Sequence, residues 1–251
     1  MFYQATGFNA AIGAWDVSSV TYMQSMFYGA SEFDQDLGWC VGTSVNTGSA
    51  FVSSACAATS CGVTQGGCDI LACGSDVLAT AVDAYLDDAD AAEATYGGPI
   101  GEWDVSCVTD MYTMFYQANE FNAAIGAWDV SSVTSMSQMF NGAEAFNAAI
   151  DAWDVSSVTS MYGMFYGTDA FNGPIDAWDV SSVAIMYAMF SEADAFNGAI
   201  DAWDVSSVTD MDWMFGGAEA FNGAIDAWVV SSVTNMYGMF YDAIEFDQDL
   251  G

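Results

Sequence analysis

The stretch WDVSSVTSMYGMFYGTDAFNGPIDA, residues 153–177, decides the reading of the chain. The same pattern returns every 25 residues, with its tryptophan at Trp103, Trp128, Trp153, Trp178, Trp203 and Trp228. A repeat that strict points to a solenoid, in which each unit is one coil that cannot bury its apolar residues alone and shares a core with its neighbours. Trp15 opens a further copy near the amino end, and Met1-Phe2 falls on the Met-Phe pair of a broken one. Met1 is therefore expected to be a repeat methionine rather than an initiator.

Composition narrows the function. The 251 residues contain no Lys, Arg or His against 34 Asp plus Glu, a formal charge of -34. No side chain can grip a phosphate, so nucleic acid and anionic membrane surfaces are excluded as partners on electrostatic grounds, and cations are the natural companions. Hydrophobic residues make up 53% of the chain, which argues for an ordered fold rather than acidic disorder. No run approaches the roughly 18 apolar residues that a membrane helix needs. No basic segment precedes an apolar stretch at the start, as a signal peptide would require.

Cys40, Cys56, Cys61, Cys68, Cys73 and Cys107 are even in number, and five of them crowd into residues 40–73. This reads as a set of disulfides in an oxidising, extracellular setting. Zinc is the competing reading, weakened by the absence of His and by the Gly/Ser/Thr-rich surroundings. Spacing alone leaves the pairing open, but Cys107 stands just downstream of Cys68 and Cys73, either of which can tie it to the start of the second array.

The chain divides into four segments. Residues 1–38 end one array, residues 39–74 lose the repeat and form a Cys-rich cap, residues 75–99 hold a capping helix and turn, and residues 100–251 form a second array. In the cap only scattered residues such as Phe51, Val52, Ile70 and Leu71 can face inward. Ser75 or Asp76 is the helix N-cap, with Leu78, Val82, Tyr85, Leu86 and Ala89 on one face and a stop at Gly97-Gly98-Pro99. Within a repeat, Val17, Val20, Met23, Met26, Ala30 and Phe33 recur every three or four residues, which predicts a short α or 3₁₀ segment. Ile125, Trp128 and Val130 predict a short strand. The expected architecture is thus an α/β solenoid of 25-residue coils, with a disulfide-rich cap and a capping helix between two arrays.

The repeat WDVSSVTxMxxMF with FNxxI resembles the BspA-like leucine-rich repeat surface proteins, and the helix leading into Gly101-Glu102-Trp103-Asp104-Val105 is similar to the amino-terminal cap of some members. The resemblance covers nearly all of the chain except about residues 41–70. It implies a right-handed, leucine-rich-repeat-like α/β solenoid, a cell-surface or extracellular location, adhesive or structural roles, and no catalytic residues. The loss of every Lys and Arg departs from that pattern.

Stacking turns each repeated residue into a ladder. Asn9, Asn122, Asn147, Asn172, Asn197 and Asn222, with Asp34 and Asp247 at the array ends, are expected to form an inward column that bonds the backbone of the adjacent turn and satisfies groups otherwise buried unpaired. Asp16, Asp104, Asp129, Asp154, Asp179 and Asp204 are expected to be N-caps of the helical segment that follows each tryptophan, accepting backbone N–H bonds from its first turn, with Val229 breaking the row. Asp151, Asp176, Asp201 and Asp226 have no such duty. They are expected to project outward as a row of like charges, either a plain solvated face or a weak cation ladder for Ca²⁺, an ion that wants six to eight oxygens and an EF-hand spacing this motif lacks. The i,i+4 pairs Tyr112/Tyr116, Tyr162/Tyr166 and Tyr237/Tyr241 are spaced to share a face of a short helix, either partly buried with a wet hydroxyl or as a stripe for glycan stacking or lateral packing. Thr109, Thr134, Thr159, Thr209 and Thr234 also align, but one Thr per coil falls short of the two-column array expected of an ice-matching surface.

Catalysis has no foothold in this sequence, since there is no His or Lys and no Ser or Cys beside an activating partner. No cofactor is required. The reading is an extracellular structural or cell-surface repeat protein, a module of a filament or extended assembly that self-associates head to tail or in tandem. The alternative is an adhesion module that binds glycans or calcium through the Tyr stripe or the Asp ladder. An acidic intracellular halophile protein comes third, disfavoured by the cysteines.

Overall fold

The computed structural model describes all residues except 14, 16, 18, 19, 38, 42–44, 66–73, 250 and 251, and omits the side chains of 40, 58–60, 64 and 65. Asp16, Cys68, Ile70, Leu71 and Cys73 therefore lie outside the described residues, as does the Cys40 side chain. The chain forms two compact units, Met1–Ala72 with Ala94–Gly97, and Cys73–Glu93 with Gly98–Gly251.

Counting each repeat tryptophan as position 0, the second unit is built from one hydrogen-bond rule. The N–H groups at positions 8, 10, 12 and 14 donate to the carbonyls at positions 7, 9, 11 and 13 of the following coil. Met111 reaches Ser135 at 2.9 Å, Thr113 reaches Ser137 at 3.1 Å, Phe115 reaches Met139 at 2.8 Å and Gln117 reaches Asn141 at 2.7 Å. The N–H groups in between close turns inside their own coil, Met114 on Met111, Tyr116 on Thr113 and Ala118 on Phe115.

The expected helical segment is absent for a backbone reason. Position 10 is left-handed in every coil, with φ of 54° at Thr113, 55° at Gln138, 50° at Ala188 and 55° at Trp213, and position 14 is left-handed too, at Gln117 and Glu192 among others. A left-handed residue cannot continue a right-handed helix. Its insertion turns every second N–H out of the coil and toward the next one. The period of three and four in the sequence is thus the period of overlapping tight turns.

The expected strand is absent as well. Trp128 N–H donates back to the Ile125 carbonyl and Val133 N–H to Val130, so the Ile-Trp-Val stretch is consumed by turns and has no free edge to pair. Successive coils meet through isolated parallel bridges at position 7, from Asp110 to Ser135, Ser160, Ile185, Asp210 and Asn235. Among the described residues regular strand is confined to β1 (Cys40–Val41) and β2 (Thr64–Gln65), a parallel pair in the first unit. The α/β, leucine-rich-repeat-like architecture is therefore corrected to a mostly irregular stack of turns with two α-helices.

Two columns of phenylalanine run through the core of this stack. Position 12 stacks Phe115, Phe140, Phe165, Phe190 and Phe215 with ring centroids 5.4–5.7 Å apart, and each ring also lies about 4 Å from its position 18 partner, as Phe140 does from Phe146 at 3.9 Å. Methionines at positions 8 and 11 fill the space beside them, where a flexible thioether adapts to flat rings. The tryptophans from Trp128 to Trp228 then tie coils together, since Trp153 Nε1 donates to the Ile125 carbonyl at 3.1 Å and Trp178 to Ile150 at 3.1 Å.

Helix α1 (Ser75–Asp87) lays Leu78, Ala81 and Val82 inward and sets Tyr85 edge-on against Trp103 and Phe121. Leu86, expected on the same face, is exposed. The single helix expected here is two, because Asp88 adopts an extended conformation and its carboxylate caps α2 (Ala89–Tyr96) through the Ala91 N–H.

In the first unit the same bonding extends past Trp39. Ser25 N–H reaches the Gly48 carbonyl, Phe27 reaches Ala50 and Gly29 reaches Val52, and Phe51 stacks on Phe27 at 5.6 Å. Part of the segment read as a Cys-rich cap thus continues the coil, with Phe51 buried and Val52 exposed. Cys56 is bonded to Cys61, which answers the zinc alternative for that pair. Cys107 is disulfide-bonded, while Cys68 and Cys73, its expected partners, lie outside the described residues.

Candidate functional site

Most of the repeated polar residues are committed to the fold. Asn122 Oδ1 accepts the Asn147 N–H at 2.9 Å, and the pattern repeats from Asn147 to Asn172, Asn172 to Asn197 and Asn197 to Asn222. Asn9 and Asn222 do the same for Asp34 and Asp247, the array-end carboxylates. Thr134 Oγ1 donates to the Thr109 carbonyl and Thr159 to Thr134, so the threonine row is also stitching.

The carboxylates that follow the tryptophans accept from their own turn. Asp129 Oδ1 takes the Ser131 hydroxyl at 2.6 Å and its N–H at 3.1 Å, and Asp104, Asp154 and Asp179 repeat this arrangement. The serine hydroxyl first, and the N–H second, hold Asp129, Asp179 and Asp204 below the usual carboxylate range. These residues cap tight turns rather than the helices expected from the sequence.

Asp169 goes the other way. Burial raises it, and the neighbouring charges of Asp194, Glu144 and Glu192 add to the rise. A carboxyl whose folded pKa is raised contributes stability below its unfolded pKa and loses it as pH climbs through the folded value. Asp169→Asn should therefore raise the melting temperature at pH 7 by about 1–2 °C, the scale of a screened surface charge, and the gain should vanish by about pH 3. Asp179→Asn should act oppositely, because a lowered pKa adds stability above the unfolded value. Thermal melts at both pH values check the pair.

Asp151, Asp176, Asp201 and Asp226 are exposed one per coil. Among the described residues no group of three or more His, Cys, Asp or Glu side chains is arranged to hold a metal ion.

The tyrosines share a face without sharing a helix. Positions 9 and 13 flank the left-handed position 10, and in the second unit they border a trough of about 500 Å³ lined by Tyr116, Gln138, Tyr162, Tyr166, Tyr187 and Trp213 among others. Tyr162 and Tyr187 touch, with centroids 5.2 Å apart. Tyr112, outside that lining, is more than half exposed, as are Tyr237 and Tyr241. The latter two pack instead against Trp213, at 6.1 and 5.1 Å.

Trp213 was missed in the sequence because it falls at position 10, where other coils carry Thr, Gln, Gly or Ala. The signal that marks it is the glycine at position 13 of its own coil. A Cβ on Gly216 would stand 2.5 Å from Trp213 Cε3, and one on Gly238 2.9 Å from Cε2, so the indole lies over two glycines. Burial, followed by the Glu192 carboxylate and its hydrogen bond, raises the Tyr166 phenol, and burial followed by Asp212 raises Tyr187.

These features define an acidic repeat protein with stitched coils and an aromatic trough in its second unit. The family model described as Mycoplasma protein of unknown function, DUF285, matches residues 1–60, 87–198 and 173–251, and the chain belongs to that repeat family. The finer leucine-rich-repeat assignment does not follow from this match. No curated protein and no solved structure matches the chain. Among the described residues no helix is long and apolar enough to cross a membrane.

Proposed function

We propose that this chain is a structural repeat protein of the cell surface or extracellular space, a module of an extended assembly and not an enzyme. The observation that carries this reading is the commitment of the repeated Asn, Asp and Thr side chains to holding coils together, as in the Asn147 to Asn172 bond at 3.0 Å. Chemistry that works on a substrate needs a constellation that differs from its surroundings, and these ladders repeat the same bonds coil after coil. The stacking rule is open-ended, so tandem modules or further copies can extend it. The Cys56–Cys61 bond supports an oxidising compartment.

Immunogold labelling of intact, unpermeabilised cells tests the location. Surface label with no free thiols in the native protein is expected; label confined to the cytoplasm, on reduced protein, rejects the reading.

Cations act on such a stack by screening. Unit charges ~5 Å apart repel by roughly 0.8 kcal/mol in water, and salt weakens that repulsion. NaCl and CaCl₂ at equal ionic strength should raise the melting temperature alike. A surplus for calcium would assign the row at Asp151, Asp176, Asp201 and Asp226 as an ion site.

A further inference from the structure

We propose that the trough of the second unit binds a neutral oligosaccharide. It crosses five consecutive coils, from Tyr116 to Trp213. Four coil steps of about 5 Å make it roughly 20 Å long, which suits a chain of sugars rather than a single one.

Its shape follows from one column. Position 10 holds Gln138, Gly163, Ala188 and Trp213 in succession, so two small residues form a floor between two larger side chains, with Trp213 at one end. Tyr162 and Tyr187 border it from position 9, and Tyr166 from position 13. The cavity is thus made where the repeat varies, not where it is kept.

Its chemistry selects the ligand. A sugar presents a C–H face to an aromatic ring and a rim of hydroxyls to amides, and Asn or Gln offers both a donor and an acceptor to each hydroxyl. Gln138 and Asn141 line the trough with side-chain amides that bond no other protein group among the described residues. That sets them apart from the Asn ladder, whose amides are used for stacking.

Charge excludes the anionic sugars, because no Lys, Arg or His exists anywhere in the chain. A cationic ligand is disfavoured by the arrangement of the rings. A cation–π cage needs several ring faces within about 6 Å of one point. Here Tyr162 and Tyr187 lie against each other, their centroids 5.2 Å apart.

Two substitutions keep the backbone intact. Trp213→Gly removes the end wall with a residue that Gly163 and Gly238 already place at position 10, and Ala188→Gln fills the floor with the residue of Gln138. The purified chain is applied to an array of neutral, sialylated and sulfated glycans, and the strongest neutral oligosaccharide is then titrated calorimetrically alongside spermine. Circular dichroism verifies the fold of each variant. The expected result is retention by neutral glycans alone, with affinity reduced at least tenfold in both variants. No neutral glycan retained, an affinity that neither variant changes, or spermine binding that Trp213→Gly abolishes would each overturn the proposal. The surface location is tested by labelling and stands or falls separately.

Discussion

Phe171→Ala should destabilise the second unit by about 3–5 kcal/mol, the range for removing a large aromatic from a packed core. Phe171 is fully buried and touches three other rings, at 4.0 Å to Phe165, 6.1 Å to Phe146 and 6.0 Å to Phe196. Its loss interrupts a continuous column, and coils that contact only their neighbours cannot bridge the gap from elsewhere. Tyr162→Ala should cost far less, since the residue is 36% exposed and borders the trough. Chemical denaturation of the two variants gives the comparison; equal losses would place the tyrosine face inside the core.

Gly142→Val should cost roughly 1–3 kcal/mol for conformation rather than for space. Gly142 has φ of 73°, and a Cβ built there meets the Gln117 Cα no closer than 3.4 Å, an ordinary contact. A β-branched side chain resists the left-handed region that position 14 demands. Gly142→Asn should cost less, because Asn enters that region more readily. If valine and asparagine prove equally harmless, the left-handed column is not what shapes the coil.

The repeat, its stacking and its buried residues were legible in the sequence, because a 25-residue period with Trp, Val, Met, Phe and Ile in fixed places admits one shared core. The local conformation was not. Val17, Val20, Met23 and Met26 are spaced as a helix would space them, and nothing in that pattern shows that Ser25 is left-handed, with φ of 55°. Thr113, Gln138 and Trp213 occupy the equivalent place and are not residues that announce a positive φ, so the turn rule became visible only in the backbone.

The Asn ladder does accept from the backbone of the adjacent coil, as an N–H in need of a partner predicts, but its residues are exposed rather than turned inward. The capping role of Asp129 was half legible: its carboxylate does accept from Ser131, but within a turn. The tyrosine stripe came from a helical argument that the fold does not support, yet Tyr162 and Tyr166 still border one cavity. The cavity itself escaped, because it depends on what Gly163 and Ala188 leave empty between Gln138 and Trp213.

The central claim is that repeated polar groups hold the coils together, and amide hydrogen exchange resolved by NMR tests it most directly. The Asn172 residue is exposed, yet its N–H is bound to Asn147 Oδ1 at 3.0 Å, and the Gly142 N–H is bound to the Tyr166 carbonyl at 2.7 Å. Both amides should exchange as slowly as the global unfolding of the stack allows. Exchange of Asn172 and Gly142 at the rate of an unstructured peptide, while the Phe columns remain protected, would contradict the account.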